Sequence, residues 1–154
     1  MRALLIALAL VLSLAGPAAA GEEVPFRGSL EGSATITPTN PPIVSVHVEA
    51  TGNGTQLGRF TVEVPHVVNA ATRVGSGSYL FTAANADTLT AEFTGQATLT
   101  PTPGVLTIVE TATITGGTGR FAGASGSFIS RRVFNQVTGL TTGSFEGTIS
   151  SPGS

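Results

Sequence analysis

Regular alternation of apolar and polar side chains is the feature that most constrains how this chain can fold. In residues 88–100, Leu89, Ala91 and Phe93 share one face, while Thr90 and Glu92 share the other. Successive side chains of a strand point to opposite faces, so a period of two residues predicts a β-strand with one buried face. No segment between such runs shows the helical period of about 3.6 residues.

Eight runs of this kind follow one another, separated by breaks that are rich in glycine, proline and asparagine. These residues favour tight turns and interrupt strand pairing. Residues 67–77 fit the pattern less well, and we predict a looser edge or a loop there. The predicted strands are 26–37, 43–50, 57–64, 78–83, 88–100, 105–114, 120–131 and 143–150.

Eight antiparallel strands in one domain are able to close into a ring. An open sheet has two edges with unpaired backbone groups, whereas closure removes both. The composition agrees, because threonine, valine, isoleucine, phenylalanine and glycine dominate the chain after residue 20, and this mixture suits strands joined by turns. We therefore predict an all-β fold, a closed antiparallel eight-stranded β-barrel, formed by residues 21–154 as a single domain.

Charge and cysteine content exclude several classes of function. The chain has a formal net charge of −2 and no cysteine. Without a basic surface, nucleic acid is not an expected partner. Without thiolates there are no disulfides, no cysteine-ligated zinc, no iron–sulfur clusters and no thiol nucleophile. We predict no cofactor.

Residues 1–20 have the layout of a secretory signal peptide. A positively charged start at Arg2 precedes a mostly apolar run over residues 3–14, and small residues lead up to Ala20,. That run is shorter than the roughly 20 residues that a membrane-spanning helix needs. We predict cleavage after Ala20 and a secreted or periplasmic protein that has no membrane span after cleavage.

Three segments, residues 52–61, 81–89 and 115–126, resemble a known group of barrels. The last segment resembles the glycine-rich signature of plant dirigent proteins and, more loosely, that of allene oxide cyclases. Together the three resemble uncharacterised secreted bacterial proteins with the same barrel. The glycines suit a tight turn and close strand approach, and no Gly-Lys-Ser/Thr follows that would indicate a phosphate loop. The glycines of this structural turn are Gly116, Gly117, Gly119, Gly123 and Gly126.

The resemblance implies an eight-stranded, calycin-like barrel that holds a small molecule. Dirigent proteins steer the coupling of phenoxy radicals with charged residues that line the barrel, and allene oxide cyclases use a cavity carboxylate and bound water. Those residues do not match positions of this chain one for one, so the fold carries over more directly than the activity. Because such barrels often assemble as trimers, the resemblance also implies a homo-oligomer.

Glu110 is the most informative single residue of the sequence. It shares strand parity with Ile108 and Ala112, so regular alternation places a carboxylate among apolar neighbours,. A carboxyl group in such surroundings is a candidate acid, base or ligand anchor. The alternatives are a bulge that turns Glu110 outward, or an internal ion pair with an arginine.

Five further polar residues are weaker candidates. Arg59, Glu63 and Arg120 would orient a polar ligand group if they faced the interior, but we expect surface charges,. The only histidines, His47 and His66, lack the spacing of a metal site, and we expect both to be exposed,. We therefore predict ligand-binding candidates at Glu110, Arg59, Glu63 and Arg120, and no metal site.

Two functions fit this chain. The first is a small-molecule barrel that binds an apolar or aromatic ligand, with isomerase or stereochemical steering activity as a further option. The second is a non-catalytic secreted structural or interaction module whose barrel is filled by its own side chains. The orientation of Glu110 and the presence of space beside it discriminate between them. Whether the protein is an enzyme stays open at this stage. The phenylalanines considered as fillers are those at positions 26, 60, 81, 93, 121 and 128.

Overall fold

Eight antiparallel strands make up most of the computed structural model, which describes residues 21–150. The predicted signal peptide therefore lies outside the described residues. A 3-10 turn, Gly119–Phe121, lies between the sixth and seventh strands. The strands are β1 (Val24–Asn40), β2 (Ile43–Gly54), β3 (Gly58–Asn69), β4 (Val74–Ala83), β5 (Thr88–Leu99), β6 (Val105–Gly117), β7 (Ser125–Asn135) and β8 (Leu140–Ser150).

The strands form one closed ring in which each pairs with its neighbours in sequence. Antiparallel pairing of β1 with β8, from Val24 opposite Ile149 to Ser33 opposite Leu140, completes the ring. Within residues 21–150, none of the eight strands is left with an unpaired edge, which is the benefit that closure provides,. The predicted all-β, eight-stranded antiparallel barrel is confirmed.

Two stretches of the predicted strand pattern are wrong. Most of residues 67–77 are neither a loose edge nor a loop, because β3 continues to Asn69 and β4 begins at Val74, and only residues 70–73 form a turn between them. Gly77 does not interrupt β4; a Cβ there would lie 2.3 Å from the carbonyl oxygen of Pro65, so the glycine permits close strand approach. Residues 120–124 do not begin β7, since they belong to the 3-10 turn and the loop that follows it.

Aromatic rings fill one half of the barrel. We call this the closed end, where the β2–β3, β4–β5 and β6–β7 connections lie. The ring centroids of Phe26 and Phe145 are 4.9 Å apart, and those of Phe60 and Phe81 are 5.3 Å apart. Contacts at tilted and edge-to-face angles are favourable for aromatic pairs. The cluster consists of Phe26, Phe60, Phe81, Phe128, Phe145 and Tyr79.

Glycines on the inner face make room for these rings. A Cβ at Gly52 would lie 2.6 Å from Cζ of Phe60, and one at Gly28 would lie 2.7 Å from Cζ of Phe145. The same Cβ at Gly52 would lie 1.9 Å from the carbonyl oxygen of Ser29. Glycine and ring therefore occupy complementary volumes, and this half of the interior is closely packed.

No helix in residues 21–150 is long and apolar enough to cross a membrane.

Substitution of Gly52 by alanine tests this packing. The added methyl group would overlap both backbone and a ring, so we expect Gly52→Ala to lower the free energy of unfolding by about 2–3 kcal/mol. Gly75→Ala is the matched control, because the nearest atoms to its Cβ are 3.1 Å away and the strain is smaller. Urea unfolding measures both. Equal stabilities of the two variants would contradict the packing described here.

Candidate functional site

Glu110 points into the barrel, and no bulge turns it outward. Its side chain is buried, and its carboxylate forms an ion pair with the guanidinium of Arg132, which is also buried. The hydroxyl of Tyr79 donates a hydrogen bond to the other carboxylate oxygen. Of the alternatives considered for Glu110, the structure therefore shows the internal ion pair with an arginine.

Strand pairing brings this group together. Ser130, on β7, pairs with Glu110, so Arg132 lies two residues further along the same inner face. On the other side Glu110 pairs with Gly95, where a Cβ would lie 2.7 Å from Cγ of Glu110. Thr141 completes the contacts of the arginine, since Nη1 of Arg132 lies 3.1 Å from its hydroxyl.

The ion pair compensates for the loss of water around both charges. Burial by itself lowers the pKa of Arg132, but the charge of Glu110 and the further interactions with Glu110 and Tyr79 together outweigh it, and the net pKa is raised. The guanidinium therefore stays charged. Burial, followed by the charge of Glu110, raises the pKa of Tyr79 well above its usual range. Tyr79 therefore stays protonated and acts as a hydrogen-bond donor at neutral pH.

A cavity of about 400 Å³ lies in the other half of the barrel, which we call the open end. Arg132 lines it, whereas Glu110 and Tyr79 do not, so the ion pair lies between the cavity and the aromatic half. Most of the lining is aliphatic, and the polar members are His66, Arg73, Arg132 and Gln136. The apolar lining residues are Ala34, Ile36, Val44, Val46, Val48, Val68, Ala70, Ala97, Leu99, Leu106, Ile108 and Phe134.

His66 was predicted to be exposed, and this prediction is wrong. The side chain lines the cavity, with its ring centroid 5.5 Å from that of Phe93. Burial lowers the pKa of His66, and the hydrogen bond to Val64 and the charge of Glu110 only partly oppose this. Nδ1 lies 2.8 Å from the Val64 carbonyl oxygen, which can only accept. In the neutral ring the proton therefore sits on Nδ1, and Nε2 is left as an acceptor.

The other predicted ligand-binding candidates do not lie in the cavity. Arg59 and Glu63 are exposed on the outer wall, as expected for surface charges. Arg59 borders a depression of about 920 Å³ on that wall, which is larger than the interior cavity but open to solvent. Arg120 lies in the 3-10 turn at the closed end, where its Nε is 3.9 Å from a carboxylate oxygen of Asp87. Glu110 and the cavity-lining residues are thus separated from all three.

His47 is only partly exposed, and it lies on the outer wall between two acidic side chains. Its Nε2 is 3.7 Å from an oxygen of Glu49 and 3.8 Å from one of Glu63. These three donor atoms lie within 4.8 Å of one another and form the group of described residues that could hold a metal ion. Because Glu49 pairs directly with Glu63, the imidazole also separates two like charges,.

The predicted glycine turn has the backbone conformations that favour glycine. Gly116, Gly119, Gly123 and Gly126 have positive φ angles, from 58° at Gly119 to 143° at Gly116. Gly117 does not, and it permits a close approach instead, since a Cβ there would lie 2.2 Å from the carbonyl oxygen of Thr88. The turn lies at the closed end, away from the cavity, which fits a structural role.

Sequence reasoning missed Arg132 and Tyr79. Arg132 is not among the predicted candidates, although it shares parity with Phe128 and Phe134 on the inner face. Tyr79 likewise shares parity with Phe81. In both strands, the shared parity with phenylalanines was the signal in the sequence that these side chains face the interior.

Removing one partner of the ion pair should be costly. Arg132→Met leaves the carboxylate of Glu110 buried without its cation, so we expect the free energy of unfolding to fall by about 3–5 kcal/mol. In Glu110→Gln/Arg132→Met no buried charge remains, and the loss should be clearly smaller than the sum of the two single losses. Denaturant unfolding of the four proteins measures the coupling. Additive losses would contradict a buried, mutually compensated pair.

His66 should make stability depend on pH. Because its pKa in the folded state lies below the ordinary value of 6.5, the unfolded state binds more protons near and below that pH. The free energy of unfolding should therefore fall as pH decreases through 6.5, and this slope should be smaller in His66→Gln. Thermal unfolding at a series of pH values between about 5 and about 8 measures this slope, because the range brackets the ordinary pKa of histidine. His47→Gln is the control, and an equal flattening in both variants would rule out the assignment to His66.

No protein-family model matches the chain, and no curated protein sequence matches it. Among solved structures, the chain is similar to the pterocarpan synthase dirigent protein GePTS1, with a TM-score of 0.57 and 11% sequence identity. The similarity covers 94% of this chain and 97% of that one. At this identity the likeness is one of fold. The chain therefore has a dirigent-like barrel fold, which confirms the fold that its glycine-rich segment implied.

Proposed function

We propose that the protein binds a small, largely apolar molecule in the cavity at the open end of the barrel. The observation that carries this proposal is a cavity of about 400 Å³ with aliphatic walls and two inward-facing polar side chains, the buried Arg132 and the partly buried His66. Its volume lies in the range of small-molecule sites, and an apolar lining with few polar groups is typical of them. An eight-stranded barrel has room for one such ligand.

The polar side chains favour a ligand that both donates and accepts hydrogen bonds. Nε of Arg132 is buried and has no hydrogen-bond partner among residues 21–150, so it remains a donor. His66 offers Nε2 as an acceptor, because its other ring nitrogen is bonded to the Val64 carbonyl. A ligand hydroxyl placed within reach of both would satisfy them, whereas a purely hydrocarbon ligand would leave them unpaired.

Charge balance favours an uncharged group at this position. Glu110 already neutralises Arg132, so a ligand carboxylate placed beside them would add a net buried negative charge. Uncompensated charge in a low-dielectric interior is strongly unfavourable. We therefore expect the ligand group beside Glu110 and Arg132 to be an alcohol or a phenol rather than a carboxylate.

A steering or isomerase role is the second candidate, and the fold likeness to a pterocarpan synthase dirigent protein favours it. Binding would then orient a reacting molecule against Arg132 and His66. The enantiomeric ratio of products in a phenoxy-radical coupling reaction, measured with and without the protein, separates steering from simple binding. The alternative of a non-catalytic, filled barrel agrees with the aromatic half but not with the space at the open end. The chain's export, predicted from residues 1–20, is part of this proposal.

Filling the cavity should abolish binding. Val44 lines the cavity, so Val44→Trp should occupy it and remove the increase in melting temperature that a library of neutral alcohols and phenols produces in the wild type. Ser45→Trp is the matched control, because this neighbour points away from the interior,. Native mass spectrometry of protein from its natural source gives a second readout. If no library member shifts the melting temperature and no bound molecule is found, the proposal fails.

A further inference from the structure

The open end of the barrel is almost free of charge. Four connections lie there, namely residues 41–42, 70–73, 100–104 and 136–139. Together with the two strand residues on either side of each, they contain one charged residue, Arg73. The connections at the closed end contain both Asp87 and Arg120. Charged residues make up only 10% of the chain, so few are expected at either end. The two ends differ in the sign of their charges, because the open end has a cation and no carboxylate.

Exposed apolar side chains are concentrated at the same end. Val74 begins β4, Leu99 ends β5 and Leu140 begins β8, and these side chains are 47%, 59% and 57% exposed. Val137, in the β7–β8 connection, is 83% exposed. Among residues 21–150, no large exposed apolar side chain lies in a connection at the closed end. We call Val74, Leu99, Val137 and Leu140 the mouth rim.

The mouth rim is continuous with the cavity. Leu99 belongs to both, and Arg73 also lines the cavity next to Val74 at the start of β4. An apolar surface thus extends from outside the barrel into its interior, with one cation at its border. Exposed apolar surface of this kind marks a contact with another apolar phase or partner.

We propose that the mouth rim docks on a lipid bilayer that carries anionic headgroups. The four apolar side chains would enter the outer part of the bilayer while Arg73 contacts the headgroup phosphates, and the absence of carboxylates removes repulsion from that surface. The inference rests on the proposed function in one respect. A docked mouth would let an apolar ligand pass between the hydrocarbon phase and the cavity without crossing water.

A second copy of the chain fits this surface less well. Two barrels joined mouth to mouth would bring two Arg73 side chains towards one apolar interface, without any carboxylate at that end to pair with them,. A protein partner over the mouth would also close the cavity. A bilayer provides both the apolar phase and the negative charge.

Vesicle flotation tests the docking directly. Protein lacking residues 1–20 should be used, because an apolar leader would bind lipid by itself, and residues 21–150 contain the whole closed barrel. We expect the protein to float with vesicles of phosphatidylcholine and phosphatidylglycerol, and more weakly with phosphatidylcholine alone. Val137→Asp should reduce partitioning at least about tenfold, because it replaces an inserted apolar group by a charge. Arg73→Gln should reduce the preference for anionic vesicles about fivefold.

Ala122→Asp is the matched control, since it adds the same charge to an exposed loop at the closed end and should float like the wild type. Equal losses in Val137→Asp and Ala122→Asp, or no flotation of the wild type, would overturn the proposal. A concentration-dependent dimer that Val137→Asp abolishes, without flotation, would assign the rim to a second copy instead. Binding of a neutral fluorescent naphthylamine probe without vesicles, and its loss in Val44→Trp, reports on the cavity, so failure of docking and failure of ligand binding are distinguishable.

Discussion

Closure of the strand ring is the constraint on which the rest of this structure depends. Because β1 pairs with both β2 and β8, alternate side chains of every strand enter a space whose width the ring determines. The volume of the inward-facing side chains decides how much of that space is filled. Towards the closed end, rings such as Phe60 and Phe145 fill it where glycines leave room. Towards the open end, shorter aliphatic side chains such as Val44 and Ala97 leave it partly empty.

Between these halves lies the pair of Glu110 and Arg132, and stability alone does not account for it. An apolar pair of similar volume would fill the same position without the desolvation of two charges, and such replacements are often neutral or stabilising. The pair lies where the packed aromatic region meets the cavity, and Arg132 is the member of the pair that lines the empty half. Tyr79, held in its protonated form, supports the carboxylate from the other side.

The sequence predicted the barrel well and the site only in part, for a physical reason. Alternation is a local property, so the immediate neighbours of Glu110 in the sequence were enough to predict that it faces the interior. The partner of Glu110 depends on register between strands, which sets Arg132 beside it from 22 residues away. Parity would also have placed Tyr79 and His66 on inner faces, but the strand that carries His66 continues through Pro65, which looked like an end. Breaks such as Gly75 and Gly77 were misread because glycine serves close approach as well as turning.

Gly95 limits how the position of Glu110 can change in related proteins. It faces Glu110 across the β5–β6 pair, in a position where any side chain would displace the acid. Positions 95 and 110 should therefore change together in evolution, because a glutamate at 110 needs a glycine opposite it. In distantly related barrels, we expect glycine, glutamate and arginine at the positions equivalent to 95, 110 and 132 to be present together or absent together. That set would separate barrels with a charged interior from those that kept only the shape.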